Sequence, residues 1–127
     1  MTHRSKWLLV IFVLVVSACV LVWNYSAMQD EARWLLSSGH YKSNLLSRPA
    51  PLDGELKHVV WDAWGWGGEN TTVYLVFDPT DSLALAASTH KSGKFPGIPC
   101  AVPKVRRFES QWYAVTFYTH QDWGLCN

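Results

Sequence analysis

A surplus of charge of either sign is what this sequence most plainly lacks. Charged residues make up 17% of the 127, with 11 Lys and Arg against 10 Asp and Glu. Arg4 and Lys6 precede a long uncharged run, leaving nine basic residues against ten acidic ones from Asn24 onward, a net of −1. So balanced a chain has no basic footprint for a nucleic-acid backbone, and no nucleic-acid partner is expected. Arg106-Arg107 is a local basic pair, but neighbours on a strand point to opposite faces. Cysteine is scarce as well, at three residues. His40, His58, His90 and His120 lack the spacing of a metal motif, so no metal and no cofactor is expected. A Ser, Cys or Lys nucleophile signature is also missing. Asp62, Asp78 and Asp81 could form a hydrolytic carboxylate pair, although Asp78 and Asp81 occupy turn positions that favour Asp for backbone reasons. No catalytic residue is nominated, and the residues point away from an enzyme.

What the chain does have is one strongly apolar segment. Trp7 to Trp23 (WLLVIFVLVVSACVLVW) is 17 residues without a charge, twelve of them Leu, Ile, Val or Phe. A bilayer core needs roughly 17 to 25 helical residues, and Asn24 and Tyr25 extend the run to residues 7–25. At about −0.3 to −0.6 kcal/mol per such residue, insertion is favoured by roughly 4 to 7 kcal/mol. The apolarity runs all round the helix, which argues against a core helix with one wet face. The lipid bilayer is therefore the expected partner of residues 7–25. His3, Arg4 and Lys6 lie before the run, and Gln29, Asp30 and Glu31 lie after it. Positive charge stays on the cytoplasmic side, so residues 1–6 are expected in the cytoplasm and the C-terminal part outside it, periplasmic in a bacterium. Trp7, Trp23 and Tyr25 fit the aromatic belts at the two interfaces.

Within the run, Val16-Ser17-Ala18-Cys19 resembles the bacterial lipoprotein signal, in which the cysteine is lipidated and becomes the mature N-terminus. The short basic start and the apolar stretch from Trp7 to Val16 also fit a signal peptide. The departure comes after Cys19, where Val20-Leu21-Val22-Trp23 stays hydrophobic. Three anchors thus fit the residues: an uncleaved spanning helix, a lipidated Cys19, or ordinary cleavage. All three deliver the same domain to the same side. There, Cys100 and Cys126 are expected to form one disulfide, closing a loop of about 25 residues and stabilising the fold by roughly 3 to 3.5 kcal/mol.

The remaining chain predicts an α+β domain. Met28, Ala32, Leu35 and Leu36 recur as one face of an amphipathic helix over residues 27–38, with Gly39 as its stop. Residues 26–56 then comprise this helix and a connector, His40 to Glu55, broken by Pro49, Pro51 and Gly54. Residues 57–127 make up a Trp-rich, β-rich domain. Lys57 to Trp66 and Thr71 to Asp78 read as strands around a Gly67-Gly68 turn, with Val60 facing Leu75, Trp61 facing Tyr74 and Lys57 facing Asp78. Pro79 fits a type I turn, and Asp81 could cap the segment after it. Ser82 to Ser88 fits a short helix or an apolar strand equally. Lys104 to Glu109 and Trp112 to His120 predict a second hairpin across Ser110-Gln111. The expected architecture is a transmembrane helix followed by a small antiparallel sheet of about four strands in two hairpins, with one amphipathic helix.

Eight tryptophans and five tyrosines are a heavy aromatic load. Large rings can build the core of a small sheet. They can also form an exposed platform, because Trp and Tyr dominate binding hot spots. Trp61, Trp64, Trp66 and Tyr74 are the candidate binding surface, with Trp64 and Trp66 sharing one strand face beside the turn. The function expected from this is a non-enzymatic protein-interaction domain held at a membrane. The alternatives are an immunity or inhibitor protein against an envelope toxin, or an envelope glycan-binding or hydrolytic domain using Asp62 and the Trp cluster.

Overall fold

A computed structural model describes residues 2–51 and 54–126. Met1 of the short leading segment, Leu52 and Asp53 of the connector, and Asn127 of the tail lie outside the described residues. The chain divides into two compact units, Met1–Ser38 and Gly39–Asn127. The first is entirely helical from His3 on. It carries the one helix among the described residues that is long and apolar enough to cross a membrane. That helix, α1 (His3–Ser47), runs through the second unit's first nine residues without a break.

Two expectations fail along α1. Gly39 does not stop the helix, although glycine costs about 1 kcal/mol relative to alanine in a helix interior. Packing downstream offsets that cost: the Tyr41 ring lies 4.9 Å from Trp61, Lys42 forms an ion pair with Glu109, and Leu45 is wholly buried. The end comes at Ser47, one residue before Arg48, whose position ahead of Pro49 disfavours helical backbone. Leu35 and Leu36, expected to face a core, are both exposed.

The second unit holds a four-stranded antiparallel sheet: β1 (Lys57–Trp66), β2 (Glu69–Phe77), β3 (Lys104–Glu109) and β4 (Trp112–Tyr118), in the order β1-β2-β4-β3. A short helix, α2 (Ala84–Thr89), resolves the Ser82 to Ser88 ambiguity. β4 is central and its residues are buried from Trp112 to Phe117, so both faces of the sheet are covered. On one face Tyr74, Val76, Val105, Tyr113, Val115 and Phe117 meet Leu83, Ile98, Cys100 and Val102. Each such side chain, fully buried, stabilises the fold by about 1.5 to 3 kcal/mol. The end of α1 covers the other face. Lys42 reaches Glu109, the last residue of β3, and the Leu46 carbonyl accepts a hydrogen bond from Lys57 Nζ at 3.2 Å, at the first residue of β1. The helix thus arrives over the β3 side and leaves over the β1 side.

The register of the first hairpin corrects the simple alternation. From Asp62 to the turn, the expected pairing holds, with Asp62 opposite Val73 and Trp66 opposite Glu69. Before that, a bulge at Trp61 shifts the ladder by one, so Val59 rather than Val60 faces Leu75, Val60 faces Tyr74, and Lys57 faces Phe77. The extra residue lets Trp61 turn inward to 3% exposure while its neighbour Val60 stays half exposed. β3 carries a second bulge, at Phe108, against β4. The Ser110-Gln111 turn joins these two strands as expected, with Gln111 at φ 69°.

Cys100 and Cys126 are joined by a disulfide, 26 residues apart with Cα atoms 5.3 Å apart. It ties the C-terminal tail onto the proline-rich loop that precedes β3. On the chain-entropy account, a loop of that length contributes about 3.5 kcal/mol.

Candidate interaction surface

The hairpin of β1 and β2 reaches beyond the rest of the sheet. β2 pairs with β4 only from Thr71, opposite Tyr118, so residues 65–70 extend past the end of β4. Gly67 and Gly68 make the turn with φ of 62° and 86°, the left-handed pair that a two-residue hairpin loop needs. Gly65 is required for a different reason. A Cβ there would lie 2.9 Å from the Glu69 carbonyl, so only glycine lets the two strands close this near the tip. Where the tip leaves the sheet, the Asn70 amide donates to Thr119 Oγ1 at 3.3 Å.

Alternation places Trp64 and Trp66 on one face of this extension. They are 57% and 89% exposed. Trp61 and Tyr74, grouped with them on sequence grounds, are interior residues at 3% and 8% exposure. Trp61 packs between Tyr41 and Phe108, ring centroids 4.9 Å and 5.1 Å away. The Tyr74 hydroxyl donates to the Asp122 carboxylate. Burial, followed by that carboxylate, pushes the phenol up to about 12. The structure therefore splits the four candidates into a core pair and a displayed pair.

The carboxylates nominated for hydrolysis are engaged in hydrogen bonds to turn amides and neighbouring hydroxyls. Asp78 is fully buried and accepts from Thr80 Oγ1 at 3.1 Å, Ser82 Oγ at 2.9 Å and the Leu83 amide at 2.9 Å. These bonds close the turn ahead of α2, which has Leu83 at its N-cap position and no side-chain cap, so the capping expected of Asp81 is not found. Asp81 instead crosses to the β3–β4 turn, accepting from the Gln111 amide at 2.7 Å, Tyr113 hydroxyl at 2.7 Å and Ser110 Oγ at 3.0 Å. The Tyr113 hydrogen bond, followed by the Gln111 amide, holds this carboxyl below the usual carboxylate range. Asp62 is exposed and caps the Ala63 amide at 2.9 Å. Among the described residues no three His, Cys, Asp or Glu side chains come together as a metal site.

One cluster had no sequence signal beyond the disulfide that folds the tail back. Trp123 stacks on His58 with ring centroids 3.7 Å apart, and its indole N–H donates to Glu55 Oε2 at 3.0 Å. Tyr74 and Phe117 meet the same indole edge-on at 5.4 Å and 6.1 Å. A second feature, near the projecting tip, is an open depression of about 380 Å³ lined by Ser92, Gly93, Pro103, Tyr118, Thr119 and Gln121 among others. Its polar lining comprises three hydroxyls and an amide. No known protein family, curated protein or solved structure matches the chain.

Proposed function

We propose that this is a single-pass membrane protein whose folded unit lies outside the cytoplasm, in the periplasm of a bacterial cell, and works by binding rather than catalysis. The observation that carries the reading is the pair Trp64 and Trp66, displayed on one face of a hairpin that outruns its sheet. Two large rings exposed side by side cost solubility and add nothing to the core, which is the mark of a contact surface. Asp78 and Asp81, two of the three carboxylates considered for hydrolysis, are engaged in turns, which leaves exposed Asp62 without a carboxylate partner and favours a binding module over a hydrolase.

The address rests on the flanks of the apolar run: Arg4 and Lys6 before it and Asp30 and Glu31 after it. A disulfide in the folded unit suits an oxidising compartment. Val20 to Trp23 keep the run hydrophobic past Cys19, where a lipoprotein would turn to small or polar residues, and this favours an uncleaved spanning anchor over a lipidated Cys19.

A photo-cross-linking amino acid at position 66, activated in native membranes, tests the contact surface. A discrete adduct that disappears in a Trp64→Ala background supports it. Adducts no more abundant than at Leu85, an exposed position on α2, would sink it.

A further inference from the structure

We infer that the partner of the Trp64 and Trp66 surface is a second copy of this chain, bound about a two-fold axis so that each hairpin tip enters the other copy's depression. This rests on Trp64 and Trp66 being a contact surface, and it names what covers them.

Strand lengths supply the shape. Residues 65–70 project past the end of β4, and the depression of about 380 Å³ lies beside that projection, lined by Tyr118 and Thr119 where β4 stops. The Asn70 amide, donating to Thr119 Oγ1, joins the root of the tip to the edge of the depression. This end of the sheet is therefore a step, a projecting hairpin next to a recess. A two-fold axis along the strands lays each copy's projection over the other's recess.

The charges divide in the same way. From His58 to His90 the sequence has four Asp or Glu and no Lys or Arg; from His90 to Phe108 it has five Lys or Arg and no Asp or Glu. On the tip half, Asp62 shares the face of Trp64 and Trp66 by alternation, and Glu69 lies opposite Trp66; both carboxylates are exposed. On the recess half, Lys91, Lys94 and Lys104, all exposed, are the chain neighbours of the lining residues Ser92, Gly93 and Pro103. Asp122, next to lining residue Gln121, is held by the Tyr74 hydroxyl, so the recess stays basic.

One molecule does not match its own two halves. The register runs Asp62, Val73, Thr116, Lys104 across the sheet, so acid and base at its two edges stand three strand spacings apart, about 14 Å. Among the described residues none of Asp62, Glu69, Lys91, Lys94 and Lys104 has an ion-pair partner. A partner of unrelated sequence would need one half only. An isologous contact needs both halves side by side on each copy, which is the arrangement found. The indoles then anchor the contact twice, while the surrounding charges set its register and exclude other partners.

The test uses the full-length chain with a photo-cross-linking amino acid at position 66, co-expressed under two different tags and activated in native membranes. The expected adduct carries both tags and maps to residues 91–104 or 118–121 of the second copy. Trp64→Ala lowers its yield more than about thirtyfold while thermal unfolding stays unchanged. Asp62→Lys with Glu69→Lys lowers it on the order of a hundredfold, and so does Lys91→Glu with Lys94→Glu and Lys104→Glu. Co-expressing these two charge-reversed chains restores it, because a lysine tip then meets an acidic recess and a parent tip meets a parent recess. Failure of that mixture to restore the adduct overturns the proposal, as does a two-tag adduct indifferent to the reversals. An adduct with a different protein alone also overturns it but leaves the contact surface standing. Adducts no more abundant than at Leu85 overturn both.

Discussion

Trp61 and Phe108 meet ring to ring, centroids 5.1 Å apart, although they come from the opposite edges of the sheet. Each is the extra residue of a bulge, Trp61 in β1 and Phe108 in β3. A bulge bends its strand and re-aims a side chain. Here the two bends bring both rings onto the face that the end of α1 covers, where Tyr41 completes the cluster. Trp61→Ala should therefore cost about 3 to 5 kcal/mol. Trp66→Ala, on the same strand but exposed, should fall within ~0.5 kcal/mol of the parent. Chemical denaturation of the two variants separates them; similar midpoints would contradict the assignment of Trp61 to the core.

Reduction is the second test. With the 26-residue loop opened, Cys126→Ser should lose about 2 to 4 kcal/mol. Trp123 should then lose its fixed seat on His58, which near-ultraviolet circular dichroism reads as a loss of aromatic signal. Thiol labelling of the unreduced chain should modify Cys19 alone.

The acid side of the stability curve should depend on Asp81. Its folded-state pKa lies below the ordinary value of about 3.9, so its contribution is complete above that pH and is lost as pH falls through the lower folded value. Asp81→Asn tolerates the left-handed backbone at φ 53° and removes the titration. Urea unfolding between pH 5 and pH 2 should show a smaller decline in the variant than in the parent.

Two tyrosines set the alkaline limit. Tyr74 and Tyr113 are each pushed up to about 12 from 10.0, first by burial and then by the carboxylates of Asp122 and Asp81. A raised phenol favours the folded state below pH 10, and that advantage fades as pH rises from 10 to 12. Ultraviolet titration of the five tyrosines should show two ionising late, together with unfolding. Five groups titrating as one near pH 10 would refute it.

Intact mass decides the anchor. An uncleaved chain matches the spanning helix, whereas a mature chain beginning at acylated Cys19 would replace it.

Most of the architecture was legible because strands and turns announce themselves locally. The TTVYLVF run, the Gly67-Gly68 pair and the apolar β4 segment each carry their own signal. The features without a local signal depend on distant partners. Helix continuation past Gly39 is stabilised by Tyr41 against Trp61 and Lys42 against Glu109, on strands that come later in the chain. The one-residue slip at Trp61 leaves no trace in composition, since either register offers apolar pairs. The exposure of Trp64 and Trp66 was readable from their nearness to the turn, but the burial of Tyr74 was not, because it depends on Asp122, 48 residues away.

The paired bulges matter beyond this one molecule. Where copies of a sheet crowd together, open strand edges favour zipping one sheet onto the next. Among the described residues β1 and β3 are the edges of this sheet, and each is kinked by its own inserted ring. Either edge therefore offers an incoming strand a ladder interrupted by a bulge, which disfavours growth of a continuous ribbon.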